Sequence, residues 1–311
     1  MPIFNITKNA VTPITQTNFA TEKELQALVE RNLGPMFNCR LVASEFPTGA
    51  QHAGRIDTLA LSEEDNPVII EYKKIESSDL INQSLFYLSW IHDHKGDFEI
   101  AVQKILGPKV KVDWSDVRVI CIAPDYKRYD LHAVQVMGAN IELWRYRLYA
   151  NSTLFIEEVF RKTLDTSTGS ATSPKDPVMV AAGKKAAHTR AHGSYTFEQH
   201  LAAKPKTIAD LAIAIHEYIL SIDSAIDAAP KKFYVAYKIS QNIVCMEVQK
   251  KAVRLYLKLS PSEVKNPPKS FRDVTDIGHF GTGDVEFTAR THEDFESIIP
   301  FVDMAYSKVG G

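Results

Sequence analysis

Asp57, Glu71 and Lys73 are the side chains of this sequence whose types and spacing best suit chemistry at a bound cation. They lie in GRIDTLALSEEDNPVIIEYKK, residues 54–74. Arg55 to Leu61 alternates towards apolar and β-branched residues, and Pro67 to Tyr72 is a short apolar run. The acidic cluster from Glu63 to Asn66 between them then reads as the turn of a hairpin. Asp57 falls on the first strand and Glu71 and Lys73 on the second, and strand alternation points Glu71 and Lys73 to one face and Tyr72 to the other. A carboxylate from each strand with an ammonium beside them makes a site for a hard cation with a proton handler built in.

The elements that must position these groups are legible on either side. Thr21 with Glu24 three residues on forms a capping box, opening a helix with Leu25, Leu28, Val29 and Leu33 as its apolar stripe and Gly34-Pro35 as its stop. Phe37 to Phe46 reads as a strand entering the hairpin, where Glu45 points either to the site or to solvent. From Asp79 to His92, Leu80, Ile81, Leu85, Leu88 and Ile91 mark a helix, and Gln83 and Tyr87 share a different line at i,i+4 spacing. His92-Asp93-His94 is a solvated helix end, since residues two apart on a helix face apart. Val117 to Ala123 is a continuous apolar run, as in a central strand buried on both faces. Tyr129 to Met137 reads as a helix. Ile141 to Tyr149 reads as a strand with Arg145 and Arg147 opposite Trp144 and Tyr146.

An Asp, thirteen intervening residues and Glu-x-Lys, followed by Gln83-Ser-Leu-Phe-Tyr87, resembles the PD-(D/E)XK phosphodiesterase superfamily. The Gly-Arg-Ile-Asp form is similar to its NucS-like and RecB-like branches, although Ile56 replaces the usual Pro before the Asp. The resemblance covers roughly residues 10–160 and implies an α/β restriction-endonuclease-like core, a mixed central sheet flanked by helices in α-β-β-β-α-β order. It also implies a metal-dependent nuclease that hydrolyses phosphodiester bonds, DNA being the expected partner, in a repair, restriction or defence setting. Asp57, Glu71 and the Tyr72 backbone carbonyl would hold Mg²⁺ or Mn²⁺, and Lys73 would orient or deprotonate the attacking water. Gln83 and Tyr87 would contact the nucleic-acid backbone or a metal-bound water. In such proteins the helix before the hairpin often carries one more Glu, for which Glu22 is favoured over Glu30 while Glu24 is explained by its cap. Arg55 and Lys74 flank the motif as nucleic-acid contacts. A module that keeps this fold for nucleic-acid binding or protein interaction, without turnover, is the alternative.

The chain of 311 residues, 45% apolar and 24% charged with net charge −2, is long enough for two cores and has no global field for a polyanion. Any nucleic-acid surface must be local. Its three cysteines form no C-x-x-C pair, which argues against a zinc site or a disulfide framework and for a reducing, cytoplasmic setting. No stretch has the length and apolarity of a signal peptide or a membrane span. Composition divides the chain into a nuclease-like domain at 1–162, a flexible linker at 163–205 rich in Ala, Ser, Thr, Gly, Lys and His, and a small α+β domain at 206–311. In that last domain DIGHFGTGDVEF, residues 276–287, resembles a domain family of unassigned function. A strand follows its glycines, so a glycine-rich hairpin explains them better than a phosphate loop. Along Val253 to Leu259, alternation sends Leu255, Leu257 and Leu259 to the core and Arg254, Tyr256 and Lys258 outward, a pattern suited to a nucleic-acid strand. A homodimer is among the assemblies to expect.

Overall fold

The computed structural model describes residues 2–49, 54–76, 79–137, 140–160 and 195–310, the side chains of 135–137 and 160 excepted. Strands β1 (Phe4–Thr7) and β2 (Ala10–Pro13) pair as a separate hairpin. Then come β3 (Gln16–Thr17), helix α1 (Glu22–Arg31), a short helix α2 (Leu33–Phe37), β4 (Cys39–Pro47), β5 (Arg55–Ser62) and β6 (Pro67–Tyr72). Helices α3 (Asp79–Asp93) and α4 (Lys95–Leu106) lead to β7 (Arg118–Ala123), α5 (Arg128–Met137), β8 (Ile141–Tyr149) and β9 (Leu154–Phe160). From α1 to β8 this contains the element order expected from the sequence.

The seven strands β3 to β9 form one mixed sheet in the order β3-β8-β7-β6-β5-β4, with β9 also on β8. The β4-β5-β6 meander is antiparallel and β6-β7-β8 is parallel, because α3, α4 and α5 supply the crossovers that parallel neighbours need. All six residues of β7 are buried, as expected of a strand covered on both faces. On one face Leu59, Leu61, Ile69, Val119 and Leu143 join Leu85, Leu88 and Ile91 of α3 and Phe98 and Val102 of α4 in a single core. On the other, α1 packs over β5 and β6. Its start follows the sequence signal: Thr21 Oγ1 accepts from the Glu24 amide at 3.1 Å, while the Glu24 carboxylate reaches back to the Ala20 amide at 2.8 Å. Each sheet face therefore presents a helix to the mouth of the β5–β6 hairpin.

The chain divides into two compact units, 1–33 with 39–192 and 34–38 with 193–311. The second holds α6 (Phe197–Leu201), α7 (Lys206–Ile222), strands β10 (Asp227–Pro230), β11 (Val235–Lys238), β12 (Asn242–Val248), β13 (Val253–Leu257), β14 (Phe271–Asp273) and β15 (Val285–Ala289), and α8 (His292–Lys308). Its antiparallel sheet runs β10-β11-β12-β13-β15-β14, with α7 and α8 packed on one face. Of the stretch read as a linker, 163–194 lies outside the described residues. Residues 195–205 include α6, whose Phe197 and Leu201 pack against the core of this unit. The other sheet face buries Tyr234, Ala236, Cys245 and Tyr256 with Val274. Residues 279–282 lie against it, and at Gly281 (φ +84°) an added Cβ would stand 2.6 Å from that of Cys245. The glycine-rich segment is thus a close cover on a sheet.

Candidate active site

The β5–β6 ladder pairs Thr58 with Ile70 and Leu59 with Ile69, so Asp57 and Glu71 occupy the next position towards the open end. There the two side chains take over the role of backbone partners. The Asp57 amide donates to Glu71 Oε1 at 3.1 Å, and the Tyr72 amide donates to Asp57 Oδ2 at 3.1 Å. The pair is thereby fixed by strand register. Glu71 is fully buried, and its second oxygen, Oε2, has no hydrogen-bond partner. Burial is the first cause that raises the Glu71 carboxyl well above its ordinary range, and the charge of Asp57 is the second. Asp57 is also raised, by burial first, against the lowering effects of the Tyr72 amide and Lys73.

Lys73 continues from β6, its amide donating to Ile122 O at 2.9 Å. Its ammonium lies 3.6 Å from Glu22 Oε2, at the first turn of α1. The geometry thus brings Glu22 to the Asp57–Glu71–Lys73 group. Glu30 instead accepts from Thr58 Oγ1 at 2.6 Å and from Gln26 at 3.1 Å, and Thr58 in turn meets the Tyr72 hydroxyl at 3.1 Å. An open cleft lined by Glu22, Lys23, Gln26, Glu45, Arg55 and Asp57 reaches the group from the Asp57 side, with Glu71 buried behind it.

Gln83 and Tyr87 stand behind the site. Tyr87 is 3% exposed, and its hydroxyl donates to Arg55 O at 2.8 Å while it accepts from the Arg55 amide and from Gln83 Nε2, each at 3.2 Å. Gly54 makes room for this ring: a Cβ there would lie 3.0 Å from Tyr87 Cε1 and 3.2 Å from Thr48 Oγ1. The two polar tips therefore clamp the backbone that enters β5, two residues before Asp57. The Arg55 side chain pairs with Glu45, and Lys74 Nζ donates to Ala20 O at 2.6 Å, just before α1.

Two residues that the sequence underplayed belong to this geometry. Glu45 borders the cleft, raises the carboxyls of both Asp57 and Glu71, and has a left-handed backbone, φ +54°. Such a conformation in a non-glycine residue is uncommon. Gln26 is buried, and its amide nitrogen stands 2.8 Å from Asp57 O, 3.1 Å from Glu30 Oε1 and 3.3 Å from Ser44 Oγ, tying α1 to the hairpin. Glu22, Gln26 and Glu30 follow one another at i,i+4 spacing, which marks one helix face but not what that face meets.

The donor set fits a hard divalent cation. It offers a buried carboxylate oxygen with no partner and a second carboxylate held beside it, and both carboxyls are raised in part by like charge. No group of three or more His, Cys, Asp or Glu able to hold a metal occurs among the described residues. Two carboxylates suit an ion that completes its shell with water and substrate phosphate, as Mg²⁺ does.

In the C-terminal unit the aromatic centre of the expected cationic face is covered. Tyr256 is 1% exposed, lies under the His279 ring at 4.2 Å and donates to Glu247 Oε2 at 3.2 Å, so no base can stack on it. Arg254 faces Glu286, 3.9 Å away, and Lys258 Nζ donates to Asn38 Oδ1 at 2.8 Å within the same unit. Alternation placed Arg254 and Tyr256 on the correct face, but the ring that covers Tyr256 comes from outside the strand. Among the described residues no helix is long and apolar enough to cross a membrane, and all three cysteines are buried and outside any disulfide.

Residues 197–308 match a family described as a domain of unknown function, DUF5655. The whole chain is similar to an uncharacterized protein of Haemophilus influenzae, 28% identical over 310 residues, which covers 98% of this chain and 99% of that protein. Among solved structures, a repair endonuclease from Pyrococcus abyssi shares 16% identity at a TM-score of 0.24, over 41% of this chain and 48% of that one. The EndoMS–dsDNA2 complex shares 14% identity at a TM-score of 0.30, over 46% of this chain and 64% of that one. The matched part is under two thirds of either neighbour. The site's chemistry rests on its own geometry.

Proposed function

We propose that the N-terminal unit is a metal-dependent nuclease that hydrolyses phosphodiester bonds in DNA, with Asp57, Glu71 and Lys73 as its working residues. The observation that carries this reading is the interlocked carboxylate pair, in which Glu71 Oε2 is unpartnered, with Lys73 two residues further along the chain. Asp57, Glu71 and the Tyr72 carbonyl would hold Mg²⁺ or Mn²⁺, which supplies positive charge against the scissile phosphate and favours ionised water at neutral pH. Lys73 orients the attacking water and handles its proton. Glu22 keeps the ammonium at the cleft. Tyr87 and Gln83, through the backbone of Arg55, hold Asp57 in place from behind, and Arg55 at the cleft rim is placed to meet a phosphate.

The test is cleavage of single-stranded, duplex and branched DNA with Mg²⁺ or Mn²⁺, run beside thermal melts. Asp57→Ala and Glu71→Ala should abolish cleavage and lose the stabilisation that Mg²⁺ gives the parent, while their metal-free melts stay close to wild type because a like-charge contact has gone. Lys73→Ala should lose cleavage by about 10²- to 10⁴-fold and still be stabilised by Mg²⁺. Wild-type cleavage by the Asp57→Ala/Glu71→Ala double variant would refute the assignment. Stabilisation by Mg²⁺ with no cleavage of any DNA would leave a nucleic-acid-binding module without turnover.

A further inference from the structure

The C-terminal unit carries an aromatic cluster that the site above does not use. Phe280, in the segment that covers the sheet, stacks on Phe233, in the turn between β10 and β11, with ring centroids 4.3 Å apart and planes 26° apart. The rings remain 48% and 46% exposed, so burial does not account for the pair. The Lys232 ammonium lies 5.1 Å from the Phe233 centroid.

Phe280 is held in place by its neighbours. Gly281 has φ +84° and no space for a Cβ against Cys245, and the Thr282 amide donates to Cys245 Sγ at 3.3 Å. Asn242 Nδ2 donates to Thr282 Oγ1 at 3.1 Å, and the His279 ring is stacked flat on Tyr256 with an interplanar angle of 5°. The same cover that withdraws Tyr256 from solvent thus sets a second aromatic surface outside it. The turn that carries Phe233 also brings the Lys232 ammonium to that surface, which complements an anion.

We infer that Phe233, Phe280 and Lys232 form a stacking platform for single-stranded nucleic acid, with a base on the exposed ring surface and a phosphate against the ammonium. The inference rests on the nucleic-acid reading of the chain but not on cleavage by Asp57 and Glu71. The platform reads no sequence, because every base has a face to stack.

The experiment is fluorescence anisotropy with the full chain in EDTA, using labelled oligothymidine and a labelled duplex of equal length. Phe280→Ala and Phe233→Ala should each weaken oligothymidine binding roughly tenfold, leave duplex binding unchanged and keep the salt dependence. Lys232→Ala should flatten the slope of log affinity against log salt by about 0.7, one single-strand phosphate. Phe280→Trp, which enlarges the platform without opening a gap, should bind at least as tightly as wild type. Unchanged affinity in both alanine variants, equal loss for strand and duplex, or weaker binding by Phe280→Trp would overturn the inference. A chain that holds the strand through Phe280 yet cuts nothing with Mg²⁺ refutes cleavage alone, and one that cuts but ignores Phe280 refutes the platform alone.

Discussion

A fully buried carboxylate with an unpartnered oxygen is costly to a fold, and Glu71 carries that cost beside Asp57, where the proposed cation would relieve it. Since its folded carboxyl is held well above the ordinary 4.5, the native state keeps a proton that the unfolded chain releases. Stability of the metal-free protein should therefore fall as pH rises from about 4.5 through the native value. Glu71→Gln should flatten that stretch of the melting profile and exceed wild type in metal-free stability at neutral pH. Identical profiles for the two proteins would show that Glu71 is ionised when metal is absent. Asp57, Glu71 and Lys73 were legible in the sequence because a hairpin has a period of two and a short turn, which places their side chains without further information. Gln26 was not: its main partner, Asp57 O, is a backbone atom 31 residues away, and helical spacing names a face without naming what lies opposite.

At the scale of elements, α3 acts on the site through one hydroxyl. Tyr87→Phe removes the bonds to the Arg55 carbonyl and amide together, and should cost about 1–3 kcal/mol of stability. It should also lower the rate of cleavage with little change in substrate affinity. A variant as stable as wild type, with reduced affinity for DNA, would return Tyr87 to the substrate-contact role expected from its motif. The sequence placed Gln83 and Tyr87 correctly on one line of a helix, but the direction of that line depends on how α3 crosses β6 and β7. The C-terminal sheet teaches the same point. The inward positions Leu255 and Leu257 were readable from alternation, whereas the burial of Tyr256 depends on a segment some twenty residues downstream whose glycines serve close approach.

For the whole molecule, composition starts the last domain at residue 206, whereas the second compact unit of the structure takes in α6 ahead of that residue. Phe197 stacks on His216 at 4.1 Å, behind a capping box made by Thr196 and Gln199. Low apolar content along a stretch does not exclude one anchoring ring, which is why residues 195–205 looked like spacer. A fragment of residues 195–311 should melt cooperatively. One beginning at residue 206 should be weaker by about 1.5–3 kcal/mol, the worth of burying one large apolar side chain. Equal melting of the two fragments would place α6 outside the folding unit.

The interlocked hairpin also has a bearing on the order in which the chain folds. Asp57 and Glu71 meet across a turn closed by the Ser62 amide on Asn66 O, a local contact, whereas Lys73 and Tyr87 reach their partners only after α3 and β7 have docked. Local contacts form first because they close the shortest loops. The two acids are then pressed together early, before their surroundings exist. Asp57→Asn, which keeps the acceptor for the Tyr72 amide but removes the charge, should speed refolding and leave the unfolding rate almost unchanged. A stopped-flow chevron in which only the unfolding arm moves would mean that the acids meet last.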